Sequence, residues 1–267
     1  MQELISQADG LGHALEVGAA IGDAKEVGLG SYAVVPQGYD LRSLEKFEAS
    51  PMRKSGTVTL EDAASFIRYF NLHAIESSQI YGRINPPMFV GVLDDHGGDY
   101  PGWKEHLVKY ACPFSIEWKE WSSKDKTGMS QEQFAEFIER NLPDIVEPPG
   151  ADMLEISRSL QAKKKVNFSS GLRLANGQQE LTYEEEIQGT SAKGKLQIPE
   201  TFKIGIQVLE GGAPYAIECR LRYRIKDATL VMWYELVRPH KILEDAVNDV
   251  WSAIEQQTSR LIYRGSI

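Results

Sequence analysis

Between Tyr215 and Lys226 the chain alternates almost residue by residue. Tyr215, Ile217, Cys219, Leu221, Tyr223 and Ile225 fall on one register, and Glu218, Arg220, Arg222, Arg224 and Lys226 on the other. Strand side chains project to opposite faces in turn, so this stretch fits a half-buried strand of an antiparallel sheet, apolar inside and mainly basic outside. The period of two begins near Val166 and dominates the C-terminal part of the chain. Asn176-Gly177 is a hairpin turn signal between Leu172-Arg173-Leu174 and Leu181-Thr182-Tyr183. Phe202, Ile204, Ile206 and Val208 alternate on a third strand, and Lys226-Asp227-Ala228-Thr229 turns the basic strand into Leu230 to Val237. Pro239 then preorganises a helix in which Leu243, Val247, Val250 and Ile254 recur toward the core.

Upstream of Val166 the dominant period is 3.6. Thr59 reads as an N-cap before Leu60-Glu61-Asp62, and Ala63, Ile67, Phe70 and Ala74 form one apolar stripe. Ser130 and Gln133 form a capping box ahead of Phe134, Phe137, Ile138 and Leu142, a helix that ends before Pro143. After Pro148-Pro149-Gly150, Asp152 and Glu155 cap another helix, whose last turn carries Lys163, Lys164 and Lys165. Gln79 to Ile84, Met88 to Leu93 and His106 to Ala111 read as extended segments, as does Tyr32 to Val35. Four glycines interrupt the helical pattern of Leu4 to Val27, which predicts a weak helix or arm over residues 1–30.

The expected fold is therefore α+β: a mixed N-terminal part with two or three helices, then an antiparallel sheet covered by a C-terminal helix. The expected divisions are 1–30, 31–165 and 166–267. A chain of 267 residues with 42% hydrophobic and 25% charged content can bury such a core, which excludes disordered and fibrous classes. No apolar run approaches the length that spans a bilayer, and the start of the chain lacks a secretory pattern, so no membrane partner is expected. Five Trp and eleven Tyr are many amphipathic aromatics for one surface, and a homo-oligomer is expected.

Catalytic signatures are missing. Neither a phosphate-binding G-x-x-x-x-G-K-[ST] loop nor a G-x-S-x-G elbow occurs, no cofactor is expected, and Cys112 and Cys219 have no partners at metal-ligand spacing. Cys219, on the apolar register of its strand, reads as a packed thiol. The densest ligand-type cluster is Asp94-Asp95-His96 with Asp99 and His106. It reads either as a divalent-ion site centred on Asp94 and His96 or as a polar turn around Gly97-Gly98. Alternation opposes convergence of the three unless the strand ends at Leu93. The net charge of −9 opposes attraction of the whole molecule to nucleic acid. Residues 193–241, however, carry nine Lys or Arg against five Asp or Glu, so Arg220, Arg222, Arg224 and Lys226 are the candidate polyanion-binding row. The competing reading pairs those arginines with Glu184, Glu186 or Glu235 across the sheet.

Several stretches resemble the YfdQ-like family of bacteriophage and prophage proteins: Leu93 to His96, Ser130 to Val146, Leu160 to Phe168, Leu181 to Ile187 and Tyr234 to Lys241. The resemblance covers residues 31–257 and brings no catalytic motif. It implies a phage or prophage origin and a place in the bacterial cytoplasm. The leading expectation is a non-enzymatic accessory protein that binds DNA, a DNA-processing protein or a host factor during infection. The alternatives are a self-assembling ring or shell protein and a metal-dependent enzyme at Asp94 and His96.

Overall fold

A computed structural model of the protein describes residues 25–27, 30–32, 45–162, 167–187, 190–226 and 229–267. The chain divides into two compact units, Met1–Lys54 and Ser55–Ile267. In the first, strands β1 (Lys25–Val27) and β2 (Gly30–Tyr32) pair antiparallel, and a short 3-10 turn spans Glu45–Phe47. Residues 25–27, expected at the end of a weak helix, are thus extended, and Tyr32 closes β2. The rest of that expected helix, Ala33 to Val35 and Lys163 to Lys165 lie outside the described residues.

The second unit contains a mixed five-stranded sheet ordered β15-β4-β5-β6-β3. Its strands are β3 (Gly56–Leu60), β4 (Gln79–Arg83), β5 (Met88–Val92), β6 (His106–Tyr110) and β15 (Ile262–Arg264). The β4-β5-β6 core is antiparallel, whereas β3 and β15 add at the edges in parallel. Helix α1 (Ala63–His73) buries Phe66, Ile67 and Phe70. Its N-cap is Asp62, whose Oδ1 accepts the Ser65 N–H at 2.7 Å, and Thr59 instead lies in β3. The expected cap was wrong because the acidic residues that suggested a first turn sit before the helix, where the shorter Asp side chain reaches an unpaired N–H. Helix α5 (Pro239–Thr258) lies near the end of the chain, and its Trp251 packs edge-on against Phe89. A side chain at Gly91 would stand 2.7 Å from Phe70, and one at Gly82 would stand 2.6 Å from Trp251. Register pairs Gly82 with Phe89 and Gly91 with Ile80, so both helices lie on one face of this sheet, drawn close by two residues without Cβ.

The second five-stranded sheet is antiparallel, ordered β7-β14-β13-β12-β8. It comprises β7 (Met129–Ser130), β8 (Ile145–Glu147), β12 (Thr201–Gln207), β13 (Pro214–Lys226) and β14 (Thr229–Leu236). Helices α2 (Ile116–Ser123), α3 (Gln131–Arg140) and α4 (Gly150–Ala162) belong with it. The Ser130–Gln133 capping box starts α3, which buries Phe134, Phe137 and Ile138, each contributing about 1.5–3 kcal/mol of apolar burial. Trp121 of α2 is fully buried, with ring centres 5.0 Å from Phe137 and 5.1 Å from Tyr234, and its indole N–H donates to Asp144 at 2.7 Å. The amphipathic pattern of α2 is short and was not legible as a helix, although Ser115 caps it. The C-terminal helix touches this sheet too, since the Tyr215 hydroxyl donates to Asp249.

A third sheet, ordered β11-β10-β9, comprises β9 (Asn167–Arg173), β10 (Gln178–Ile187) and β11 (Thr190–Pro199). Gly177 takes φ +82° in the β9–β10 hairpin, a conformation that its missing Cβ permits. Strand β11 went unrecognised because Ser191 to Lys195 has no apolar alternation. The strand at Phe202 is therefore the fourth after Val166.

Candidate functional site

Strand β5 ends at Val92, and residues 93–105 carry the chain across to β6. Within this connection every member of the Asp-Asp-His cluster has a separate task. Asp94 accepts the backbone N–H groups of His106 at 2.9 Å and Glu105 at 3.0 Å. Asp95, only 4% exposed, turns inward. One of its oxygens meets the Lys104 ammonium at 2.9 Å and accepts the His96 N–H at 2.7 Å, and the other accepts the Tyr81 hydroxyl at 2.8 Å. His96 Nδ1 accepts the N–H of Gly102 at 2.8 Å, which makes Nε2 the protonated nitrogen of the neutral ring. The Gly97 N–H donates to the Tyr100 carbonyl at 2.8 Å, and the Lys104 N–H donates to the Asp94 carbonyl at 3.2 Å.

Burial alone would push the Asp95 carboxyl up. The hydrogen bond from Lys104 and those from Tyr81 and the His96 N–H outweigh it, and the net direction is downward. Burial, with the Asp95 carboxylate alongside, pushes the Tyr81 hydroxyl up to about 12. The pair thus stays carboxylate and phenol at neutral pH, a fixed hydrogen bond rather than a proton relay.

With Asp95 buried and Asp94 and His96 bonded to backbone N–H groups, the loop presents its aromatic tip outward. Tyr100 is 80% exposed and Trp103 71%. They line a cleft of about 780 Å³ whose other wall is the α1–β4 connection, with Ile75, Glu76, Ser77 and Gln79. Buried Ser78 fixes that wall: its hydroxyl donates to the Leu93 carbonyl at 2.7 Å and accepts the Ile75 N–H at 2.8 Å. The Arg260 guanidinium binds the carbonyls of Ile75 and Glu76 at 2.9 and 3.0 Å. Both walls are therefore pinned by hydrogen bonds, and Ile75 remains 57% exposed.

A family described as Uncharacterized conserved protein (DUF2303) has a model that matches residues 13–267. The chain belongs to that family. Comparisons with curated proteins and with solved structures gave no match. The matched span includes both walls of the cleft and all of the basic strand.

The strand does end early enough to free Asp94, Asp95 and His96 from strict alternation, yet each side chain goes to partners of its own. Among the described residues no group of three His, Cys, Asp or Glu side chains is gathered as metal ligands. His106 stands apart from them, 3.2 Å from the Tyr69 hydroxyl. On β13, Ile217, Cys219 and Leu221 are buried while Arg220 and Arg224 are exposed, as the alternation requires. Arg222 meets Glu235 of β14 at 3.5 Å. Glu184 lies in the third sheet opposite Lys193 and Asn167, so of the expected acceptors it is Glu235 that is found beside the row. Lys226 ends β13, and only its backbone is described. Both cysteines are buried and unbonded to one another. Sequence reasoning missed Ile75, Tyr100 and Trp103. The signal for the last two was Tyr100-Pro101-Gly102-Trp103, two large rings flanking a turn in an otherwise polar stretch.

Proposed function

We propose that this protein is a non-enzymatic accessory protein of a bacteriophage or prophage, and that it acts by docking a protein partner in the cleft between residues 75–79 and 94–103. One observation carries the docking reading: Ile75, Tyr100 and Trp103 stand exposed around a cleft in which the Asp94, Asp95 and His96 side chains are committed to holding the walls. A catalytic carboxylate needs access to substrate, whereas an interface needs large rings held rigidly in water. Tyr and Trp are enriched at interfaces because they offer much contact area with few rotatable bonds. The phage assignment rests on the sequence resemblance alone. No helix among the described residues is long and apolar enough to cross a membrane.

The reading is tested by panning a random displayed peptide library on the purified protein, with the Tyr100→Ala/Trp103→Ala double variant as counter-selection. Enrichment of sequences that bind the native protein and not the variant is expected. Lack of enrichment, or enrichment that survives in the variant, refutes the cleft as the docking surface.

A further inference from the structure

The cleft has a charge as well as a shape. Glu76, Asp94, Asp95 and Asp99 line it, and among the described residues no Lys or Arg side chain does. Asp95 is neutralised by Lys104, and Asp94 is occupied by two backbone N–H groups. Glu76 and Asp99 are exposed and form no ion pair among the described residues. The Arg260 guanidinium on the Glu76 side is turned onto main-chain oxygens, so among the described residues the Glu76 carboxylate has no cationic partner.

Two aromatic rings beside uncompensated carboxylates select for a cation with apolar surroundings. An indole or phenol face attracts a guanidinium or ammonium within about 6 Å of its centre. Carboxylates add charge-assisted hydrogen bonds, and an apolar neighbour of the cation finds Ile75 and Pro101. Phosphate groups would meet like charge here, which disfavours nucleic acid in this cleft. The first 44 residues of the chain itself carry six acidic and two basic side chains, the wrong sign for this cleft. We propose that the occupant is a peptide segment of a partner protein that bears Arg or Lys next to an apolar residue. This rests on the docking reading above and narrows it to one chemical class.

The test uses the whole protein and three labelled peptides of equal length that alternate Leu with Arg, with Ser or with Glu, together with an oligothymidylate. Affinity is read by fluorescence anisotropy at about 50 mM and about 300 mM salt, the range over which exposed charge pairs become screened. The Arg-Leu peptide is expected to bind at least about tenfold tighter than the others and to weaken as salt rises. Trp103→Ala should cost about tenfold or more, Trp103→Phe should retain most of the binding, and the isosteric Glu76→Gln/Asp99→Asn should cost several-fold and remove the salt dependence. Equal binding of the Ser-Leu peptide, still lost in Trp103→Ala, overturns the cationic class while leaving the cleft as a docking surface. Tighter binding of the oligothymidylate overturns it in favour of nucleic acid. Indifference of the Arg-Leu peptide to both variants overturns the site itself. Concentration-dependent self-association without peptide, abolished by Trp103→Ala, would assign the cleft to a second copy and overturn the proposal.

Discussion

Gly102→Ala isolates the device that shapes the cleft. A Cβ on Gly102 would stand 2.2 Å from the Asp94 carbonyl oxygen and 2.4 Å from that of Asp95. The first gap is about 1.2 Å short of an ordinary contact at 3.4 Å, and both opposing atoms are backbone, so no side-chain rotation relieves it. The loop must open, with loss of the Gly102 N–H bond to His96 and the Lys104 N–H bond to Asp94. Each such bond contributes about 1 kcal/mol net, and overpacking costs about 1–3 kcal/mol when the structure cannot relax. Local opening caps the loss, so the expected destabilisation is about 2–3 kcal/mol. For a unit of this size that is a fall of about 4–12 °C in Tm. Gly98→Ala is the control, because a Cβ there meets nothing within 4 Å and the backbone is not left-handed. Thermal unfolding followed by circular dichroism compares the two, and the part of the tryptophan emission that Trp103→Phe removes reports the loop. If Gly102→Ala melted within about a degree of Gly98→Ala, with unchanged emission, the reasoning from the close backbone approach would be refuted.

Asp95→Asn should destabilise the protein at neutral pH by about 1–3 kcal/mol, since Lys104 then loses its partner beside a buried group. The folded Asp95 carboxyl titrates below its ordinary value, so its contribution is present above about pH 4 and is lost as pH falls through the folded value. Denaturant titrations at neutral pH and near pH 3 should show the difference between native and variant shrinking, and a constant difference would exclude Asp95 as its source. Burial pushes the Cys112 thiol up to about 12 and the Cys219 thiol upward as well, so neither should react with a thiol reagent at neutral pH until the chain unfolds, when both should. For the basic strand, Arg222 is paired, and Arg220→Gln/Arg222→Gln/Arg224→Gln is expected to leave any weak DNA binding at physiological salt unchanged. Salt-sensitive binding lost in a still-folded triple variant would make the row a polyanion site.

Where one periodicity ran through a whole element, the sequence was enough to read the fold. The alternation of β13 and β14, the Asn176-Gly177 hairpin and the Ser130–Gln133 capping box all appear where local patterning placed them. What it could not reveal is which sheet each element joins. Strands β7 and β8, two and three residues long, are added to the antiparallel sheet from sequence positions well before it, and β15 crosses back from the C-terminus to pair in parallel with β4. Edge strands this short carry too few residues to show a period, and their partners are set by closure of the core rather than by local preference.

The site was illegible for a different reason. Asp94, Asp95 and His96 have the composition of a reactive centre, and composition cannot distinguish a carboxylate that faces substrate from one that faces backbone N–H groups. The distinction depends on Gly102. Without a Cβ there, residues 94–95 and 102 approach closely enough for His96 to accept the Gly102 N–H, and Lys104 lies within 2.9 Å of Asp95. Once those bonds are made, Asp95 is buried, the Asp94 and His96 side chains are held to backbone N–H groups, and the large rings at positions 100 and 103 are exposed. A chain that kept the Asp-Asp-His triplet but replaced Gly102 would lose this inversion. The triplet and the glycine eight positions after Asp94 must therefore be read together, as one clamp that determines which side chains the cleft offers to a partner.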